Sequence, residues 1–210
     1  LRLRHPELRE KVEDKLSDVT SLNMEDSFEK NYKKTTKKRG YTYDKAYLIK
    51  QKKLLNGEFG VMHGLINIPE LKVVTKKYGV SINEYLVGVF AWATYIQCLH
   101  KAPSKVPIRI AVPVNLRPYF NSTTTKNFFT MVSAEFLPTE NEYTFEQVLE
   151  IIQKSLKSQI QKDNLEELFS IGVSNRNNKL LRMVPLVLKN LVMRFVFNKS
   201  ALAHTTTITN

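Results

Sequence analysis

Four histidines are the first residues to weigh for chemistry, because an imidazole titrates near neutrality and serves as general base, general acid or metal ligand. His5 precedes Pro6 near the start of the sequence and reads as exposed. His63 stands between Met62 and Gly64 in an apolar run that reads as a strand, where a hydrogen-bonded structural histidine is expected. His100 closes a long apolar helix, where its charged form suits the negative end of the helix dipole. His204 precedes a β-branched run, Thr205 to Thr209. No two of the four have metal-ligand spacing, and none belongs to a G-x-S-x-G or H-E-x-x-H motif. No residue is therefore assigned a catalytic role and no metal site is expected. With 7 glycines in all, there is no glycine-rich phosphate-cradling loop.

The lysines form a second set. Lys30, Lys33, Lys34, Lys37 and Lys38 fall at i, i+3, i+4, i+7 and i+8, so they share one face if residues 24–39 are helical. Asn23 can cap such a helix, Glu25 and Asp26 suit its first turn, Gly40 can end it, and Met24, Phe28 and Tyr32 give it a narrow apolar stripe. Between Lys30 and Lys53 lie ten basic residues against Asp44 alone, so most of the net charge of +12 comes from one short run. Two readings of the run stand side by side: a solvated surface whose last lysines suit the helix dipole, or a site for polyphosphate or an acidic partner.

The elements that must position these groups are organised around Gly79 to Phe136. Ser81 and Glu84 have capping-box spacing. From Tyr85 to Leu99 no charge occurs and apolar groups occupy every face, so this is a helix buried on all sides. Its fifteen residues fall short of the roughly 20 that a membrane span needs. Beyond it, Ile108, Ile110, Val112 and Val114 alternate with Arg109, Ala111, Pro113 and Asn115, a strand that is at an edge or ending by Pro113. A polar loop through Arg117-Pro118 and Asn121-Ser122-Thr123 leads to a second strand, Asn127 to Phe136, with Phe128, Val132, Ala134 and Phe136 on one face.

Around this segment the pattern gives a charged helix over residues 6–17, an uncertain stretch over 41–57, a strand over 59–68 and a short helix over 69–78. A helix opened by Thr144 carries Phe145, Val148, Ile152 and Leu156 on one side. A short helix near Leu165 is expected to break at Ser174–Asn178. The last helix, 179–199, carries a polar line of Arg182, Lys189, Arg194 and Asn198, with Pro185 kinking it or marking its true start.

The run from Gly79 through Ser81 and Asn83, the strand ending at Arg117, and the strand opened by Asn127 and Phe128 together resemble the C-terminal half of the condensation-domain-like acyltransferases. That superfamily includes chloramphenicol acetyltransferase, peptide-synthetase condensation domains, wax ester synthases and alcohol acetyltransferases. Thr209-Asn210 resembles the family's Ser-Asn element, with Thr for Ser. The resemblance spans about residues 59–210. It implies an α/β fold, a chloramphenicol-acetyltransferase-like mixed sheet flanked by helices, forming the C-terminal subdomain of a two-lobed molecule. Residues 1–58 would be a helical and basic connecting segment, and 59–210 the acyltransferase-like subdomain.

The same resemblance implies transfer of an acyl group from a coenzyme A or carrier-protein thioester to an alcohol or amine, with acyl-CoA as substrate and no bound cofactor. Asn83, Asn127 and Asn210 become candidates for lining the substrate tunnel, and Arg117 an architectural residue. Lys33, Lys34, Lys37 and Lys38 would attract the phosphates of coenzyme A or an acidic carrier protein. The family's His-His-x-x-x-Asp general-base motif has no counterpart here. His63 is followed by Asn67 in the place of the Asp and is preceded by no histidine. The catalytic half is thus expected from a missing N-terminal half of the same fold, and this chain alone is expected to be inactive. The opening Leu and the closing strand-like run also read as cut from something longer.

Composition fits this class. At 42% apolar and 25% charged, the 210 residues have the balance of a globular protein of one or two domains. The single cysteine, Cys98, allows no disulfide framework and suits a reducing compartment, and LRLRHPELRE shows no signal-peptide core, so a cytoplasmic location is expected. Two other readings remain: a non-catalytic scaffold of the same fold, and a basic module that binds nucleic acid through the Lys30–Lys53 run. Against the latter stands the absence of a helix-turn-helix, zinc or RNA-binding signature.

Overall fold

The computed structural model describes residues 24–34, 44–50, 58–140 and 142–209. In chain order the elements are α1 (Ser27–Lys30), α2 (Ile68–Tyr78), α3 (Ile82–Gln97), β1 (Ile108–Asn115), α4 (Arg117–Phe120), β2 (Phe129–Phe136), α5 (Phe145–Gln159), α6 (Lys162–Asn177), α7 (Lys179–Met183), α8 (Leu186–Ala201) and β3 (Thr206–Thr207). The protein is of the mixed α/β class, with a sheet ordered β2-β1-β3 and β3 parallel to β1 in the register Ile110↔Thr206 and Ala111↔Thr207.

The elements fall into two compact units. The first draws on segments within Leu1–Arg39, Val114–Thr130 and Lys162–Arg182; the second on segments within Gly40–Pro113, Met131–Gln161 and Met183–Asn210.

In the second unit α3 begins as its sequence dictates. Ser81 Oγ accepts the Glu84 N–H at 3.2 Å, and the Glu84 carboxylate accepts the Ser81 N–H at 2.7 Å. Val87, Gly88, Ala91, Thr94 and Tyr95 are buried, and α5 packs on them, its own box made by Thr144 and Gln147 and its stripe by Val148, Leu149, Ile152 and Leu156. The burial of α3 is not all-round: Val89 is 38% exposed and Ala93 also reaches solvent. Phe90 and Trp92 are half-buried, and Trp92, Tyr78 and Tyr85 meet the Phe145 ring at 5.6–6.2 Å.

β1 is the middle strand and is buried on both faces as far as Val112, so Arg109 goes inside together with its alternate neighbours. Pro113 lies beyond the last main-chain bond from the β3 side, Ile208 N–H to the Ala111 carbonyl, and so removes no donor that this ladder uses. The outer edge of β2 is covered by side chains of α5. The Gln159 amide accepts the Ser133 N–H at 3.0 Å and donates to the Ser133 carbonyl at 2.6 Å, while Ser155 Oγ accepts the Glu135 N–H at 3.1 Å. These bonds blunt an edge open to strand addition.

The strand expected over 59–68 does not form. Residues 58–67 have no regular structure, and Met62 and Leu65 are 96% and 104% exposed. Gly60 and Gly64 weaken its strand preference, β2 and β3 already flank β1, and side chains of α5 cover the outer edge of β2. The sheet's third strand is β3.

In the first unit, Asp26 rather than Asn23 caps the helix, which ends at Lys30 instead of continuing to residue 39. Ser27 is buried with its hydroxyl 2.6 Å from that of Ser122, and Phe28 meets Phe128 at 4.9 Å and Phe169 at 5.7 Å. Asn31 turns its amide back to the Ser27 carbonyl at 2.8 Å. Continuing the helix would stack Lys30, Lys33 and Lys34 on one face, a like-charge spacing that destabilises helices. The break expected at Ser174–Asn178 comes only at its end. Helix α6 runs to Asn177 because Arg176 and Asn177 find partners in Asp26 and Glu29. Pro185 does mark the start of the last long helix, standing at the N-cap of α8.

Candidate functional site

Asn83 is in the second unit, half-buried in the first turn of α3. Its position is set by the turn before it. Gly79 ends α2 in the left-handed region at φ 65°, which glycine enters without a Cβ penalty, and its carbonyl accepts from Gln153 Nε2 of α5 at 3.0 Å. The α2–α3 corner is thereby fastened to the helix that packs on α3. Asn127 belongs to the first unit and is exposed just before β2. Asn210 lies outside the described residues. The two described asparagines are thus held by different units, each through its own local structure.

Arg117 is also in the first unit. Its Nε donates to the Thr124 carbonyl at 2.8 Å, Nη2 to the Lys126 carbonyl at 2.7 Å, and Nη1 to Asn115 Oδ1 at 3.2 Å. One guanidinium thus ties the end of β1 to the residues leading into β2. The fork geometry that makes arginine suited to two acceptors is spent on main-chain carbonyls. Asn121, which ends α4 in the left-handed region at φ 47°, is a residue type that tolerates this turn.

The lysine face is not assembled as the spacing predicts. Lys33 and Lys34 follow the end of α1 rather than lying on a helix, and Lys37 and Lys38 lie outside the described residues. Lys33 is paired with Glu166 at 2.9 Å, and Lys34 is exposed. The acidic end of this unit is similarly compensated. Burial opposes ionisation of Asp26, but the Glu29 and Phe28 N–H groups and the Arg176 guanidinium outweigh it and hold the carboxyl below its ordinary value. The Arg176 and Asn177 hydrogen bonds do the same for Glu29.

In the second unit the structure gathers a polar cluster that sequence reading did not find. Arg109 is 4% exposed in the middle strand. Its Nε donates to Glu135 at 2.8 Å, Nη2 pairs with the same carboxylate at 2.7 Å, and Nη1 donates to the Asp44 and Ala203 carbonyls at 3.0 Å each. Two residues along β2 from Glu135, the Ser133 hydroxyl is 2.8 Å from His204 Nε2. Burial, and then the Arg109 charge, push the His204 imidazole below its ordinary pKa, against a hydrogen bond to the Ser200 main chain that favours protonation. A neutral ring with one N–H given to that carbonyl accepts from the Ser133 hydroxyl.

A serine hydroxyl bonded to a neutral imidazole is the first half of a nucleophile–base pair. The neighbouring guanidinium, however, spends its donors on Glu135 and two carbonyls, not on a position where an oxyanion would develop. The arrangement fastens the turn before β3 to β2. Members of this cluster lie 26, 71 and 94 residues apart along the chain, separations at which no motif spacing operates.

Of the other described histidines, His63 is exposed in the irregular segment rather than seated in a strand, and His100 stands in the turn after α3 at φ 50°. Among the described residues no group of His, Cys, Asp and Glu side chains could hold a metal ion, and no helix is long and apolar enough to cross a membrane. Fold and cluster together define a mixed α/β protein with an arginine-centred polar core in its second unit. No protein-family model and no curated protein matches the chain.

Proposed function

We propose that this chain is the C-terminal portion of an acyltransferase that moves an acyl group from a coenzyme A or carrier-protein thioester to an alcohol or amine. The general-base histidine would come from residues outside this chain. The observation that carries the reading is the Arg117 fork, which spans Asn115, Thr124 and Lys126. Its donors go to the protein's own loop, the architectural role that the resemblance gives an arginine at the end of this strand. The loop so fixed leads to Asn127, and the α2–α3 corner so fixed carries Asn83, each proposed as a substrate-contacting position of its own unit. The specific donor proposed is acyl-CoA, with an acidic carrier protein as the other thioester source.

The experiment is thiol release from acetyl-CoA with an alcohol acceptor, followed for the 210-residue chain and for a longer polypeptide that includes a His-His-x-x-x-Asp motif. Turnover is expected only from the longer polypeptide. There Arg117→Lys should lower kcat/KM nearly as much as Arg117→Met, because an ammonium cannot fork between two carbonyls. Turnover by the shorter chain, abolished by His63→Ala, would overturn the proposal.

The nucleic-acid reading meets two observations. Helices α2 and α3, joined by a three-residue turn, have the connectivity of a DNA-reading pair, yet α3 contains no Lys or Arg and buries Val87, Ala91 and Tyr95. In the basic run, Lys33 is already paired with Glu166.

A further inference from the structure

Strand β3 is held on the sheet by polar groups more than by apolar ones. Of residues 202–209 only Ala203 is buried, so the segment adds little apolar area to the core. Its attachments converge on one residue of β1. The Thr205 N–H donates to the Arg109 carbonyl at 2.7 Å, the Arg109 N–H to Thr205 Oγ1 at 3.1 Å, and Arg109 Nη1 to the Ala203 carbonyl at 3.0 Å. To these are added the Ile208 N–H on the Ala111 carbonyl at 3.0 Å, the Ala46 N–H on the Leu202 carbonyl at 2.8 Å, and the 2.8 Å contact of His204 Nε2 with the Ser133 hydroxyl.

His204 is the member of this set that titrates near neutrality, and its surroundings suit an uncharged ring. From β1 it faces the Arg109 guanidinium. From β2 it faces Ser133, and the Glu135 carboxylate two residues on is already taken by Arg109 Nε and Nη2. The Gln159 amide of α5 is uncharged and is spent on the Ser133 main chain. The last turn of α8 offers the Ser200 main chain, while its Lys199 lies over the Phe195 ring, 5.1 Å from the centroid. Asp44 gives Arg109 a main-chain carbonyl and is itself exposed. A proton on His204 therefore places a second positive charge near Arg109 with Glu135 already committed. It also turns Nε2 from acceptor to donor, so the Ser133 hydroxyl must reverse its bond.

We propose that His204 is an acid-operated latch, whose protonation releases residues 203–209 from β1 while the packing of α3 on α5, made by buried apolar side chains, stays closed. Burial and the Arg109 charge favour the neutral ring in the closed form, so the latch is fully held above about pH 6.5 and weakens as pH falls from there. Release leaves the Arg109 and Ala111 carbonyls open to water or to another strand. The inference does not depend on the acyl-transfer reading.

The test is hydrogen exchange of the full chain, read by mass spectrometry at about pH 8 and about pH 5.5, on either side of the ordinary histidine pKa, with rates corrected for the intrinsic effect of pH. Protection of residues 203–209 should fall severalfold at the lower pH, while residues 82–97 and 145–159 keep theirs. His204→Gln retains a polar partner for Ser133 and should give residues 203–209 the same protection at both pH values. Ser133→Ala removes the hydroxyl that the neutral ring accepts from; it should lower protection at the higher pH and leave a further fall with acid. Unchanged protection of residues 203–209 in the wild-type chain would overturn the proposal. So would an acid-induced loss that persists in His204→Gln, or one shared equally by α3 and α5, which would mean unfolding of the whole unit rather than release of its last strand.

Discussion

The contact between α3 and α5 can be tested at one glycine. An ideal Cβ on Gly88 would stand 2.6 Å from Leu149 Cδ1 but 3.6 Å from Leu149 Cα. The two backbones therefore leave room for a methyl group, and only the end of the leucine side chain obstructs it. Two effects oppose each other in Gly88→Ala. Alanine is favoured over glycine in a helix interior by about 1 kcal/mol. Displacing a buried side chain in a packed core costs about 1–3 kcal/mol, and Leu149 is buried. Overpacking should win, leaving the variant about 1 kcal/mol less stable. Leu149→Ala alone should cost about 2–5 kcal/mol through lost burial and a residual cavity. In that background the obstacle is gone, the new methyl enters the vacated space, and Gly88→Ala should now stabilise by about 1 kcal/mol. The double-mutant cycle should return a coupling of about 2 kcal/mol. Urea unfolding followed by the fluorescence of Trp92 reports on this unit, because the sole tryptophan lies on α3. A stabilising Gly88→Ala in the wild-type background, or two substitutions whose effects simply add, would refute the packing argument.

Arg109→Met should destabilise the second unit by about 2–3 kcal/mol, below the 3–5 kcal/mol typical of a broken buried ion pair, because Glu135 is 44% exposed and can rehydrate. Glu135→Gln keeps an acceptor for the guanidinium and should cost about 1 kcal/mol, so equal losses in denaturant unfolding would count against this division. His204 supplies a pH signature. Its pKa is lowered in the fold, so the unfolded chain binds more protons just below the ordinary histidine pKa. The contribution of a neutral His204 is full above about pH 6.5 and is lost as pH falls from there through the folded value. His204→Gln should flatten that part of the stability–pH curve, and Arg109→Met should shift it towards higher pH; an unchanged curve in both variants would remove His204 as its source.

What the sequence made legible was governed by local rules. The capping box at Ser81, the helix start at Thr144, the alternation from Ile108, the start of α8 at Pro185 and the strand ending at Phe136 each depend on residues within a few positions of one another, and each is present. The candidate site was less legible. Asn83 is placed by the Gln153–Gly79 bond from a helix 74 residues away, and Ser133–His204 is closed across 71 residues. Neither separation leaves a periodic trace in the chain.

The misplaced elements show which physical term overrides pattern. Residues 24–39 have a helical charge period, yet α1 ends at Lys30, where the buried Ser27 hydroxyl and the Phe28 ring fix the chain against Ser122, Phe128 and Phe169. Residues 59–68 have the apolar content of a strand, yet Gln159 and Ser155 already occupy the outer side of β2 and residues 58–67 pair with no strand of the sheet. Strand pairing is a property of two segments, and an apolar run specifies only one of them. Arg109 makes the converse point. Within β1 it occupies the alternate set, which pattern assigns to the face opposite Ile108 and Ile110, and only the placement of Glu135, Asp44 and Ala203 around it turns that face into a second interior. The middle strand of a sheet buried on both faces can carry a charge only where other segments supply acceptors. The polar cluster of the second unit is therefore a consequence of the strand order β2-β1-β3 and could not have been read from β1 alone.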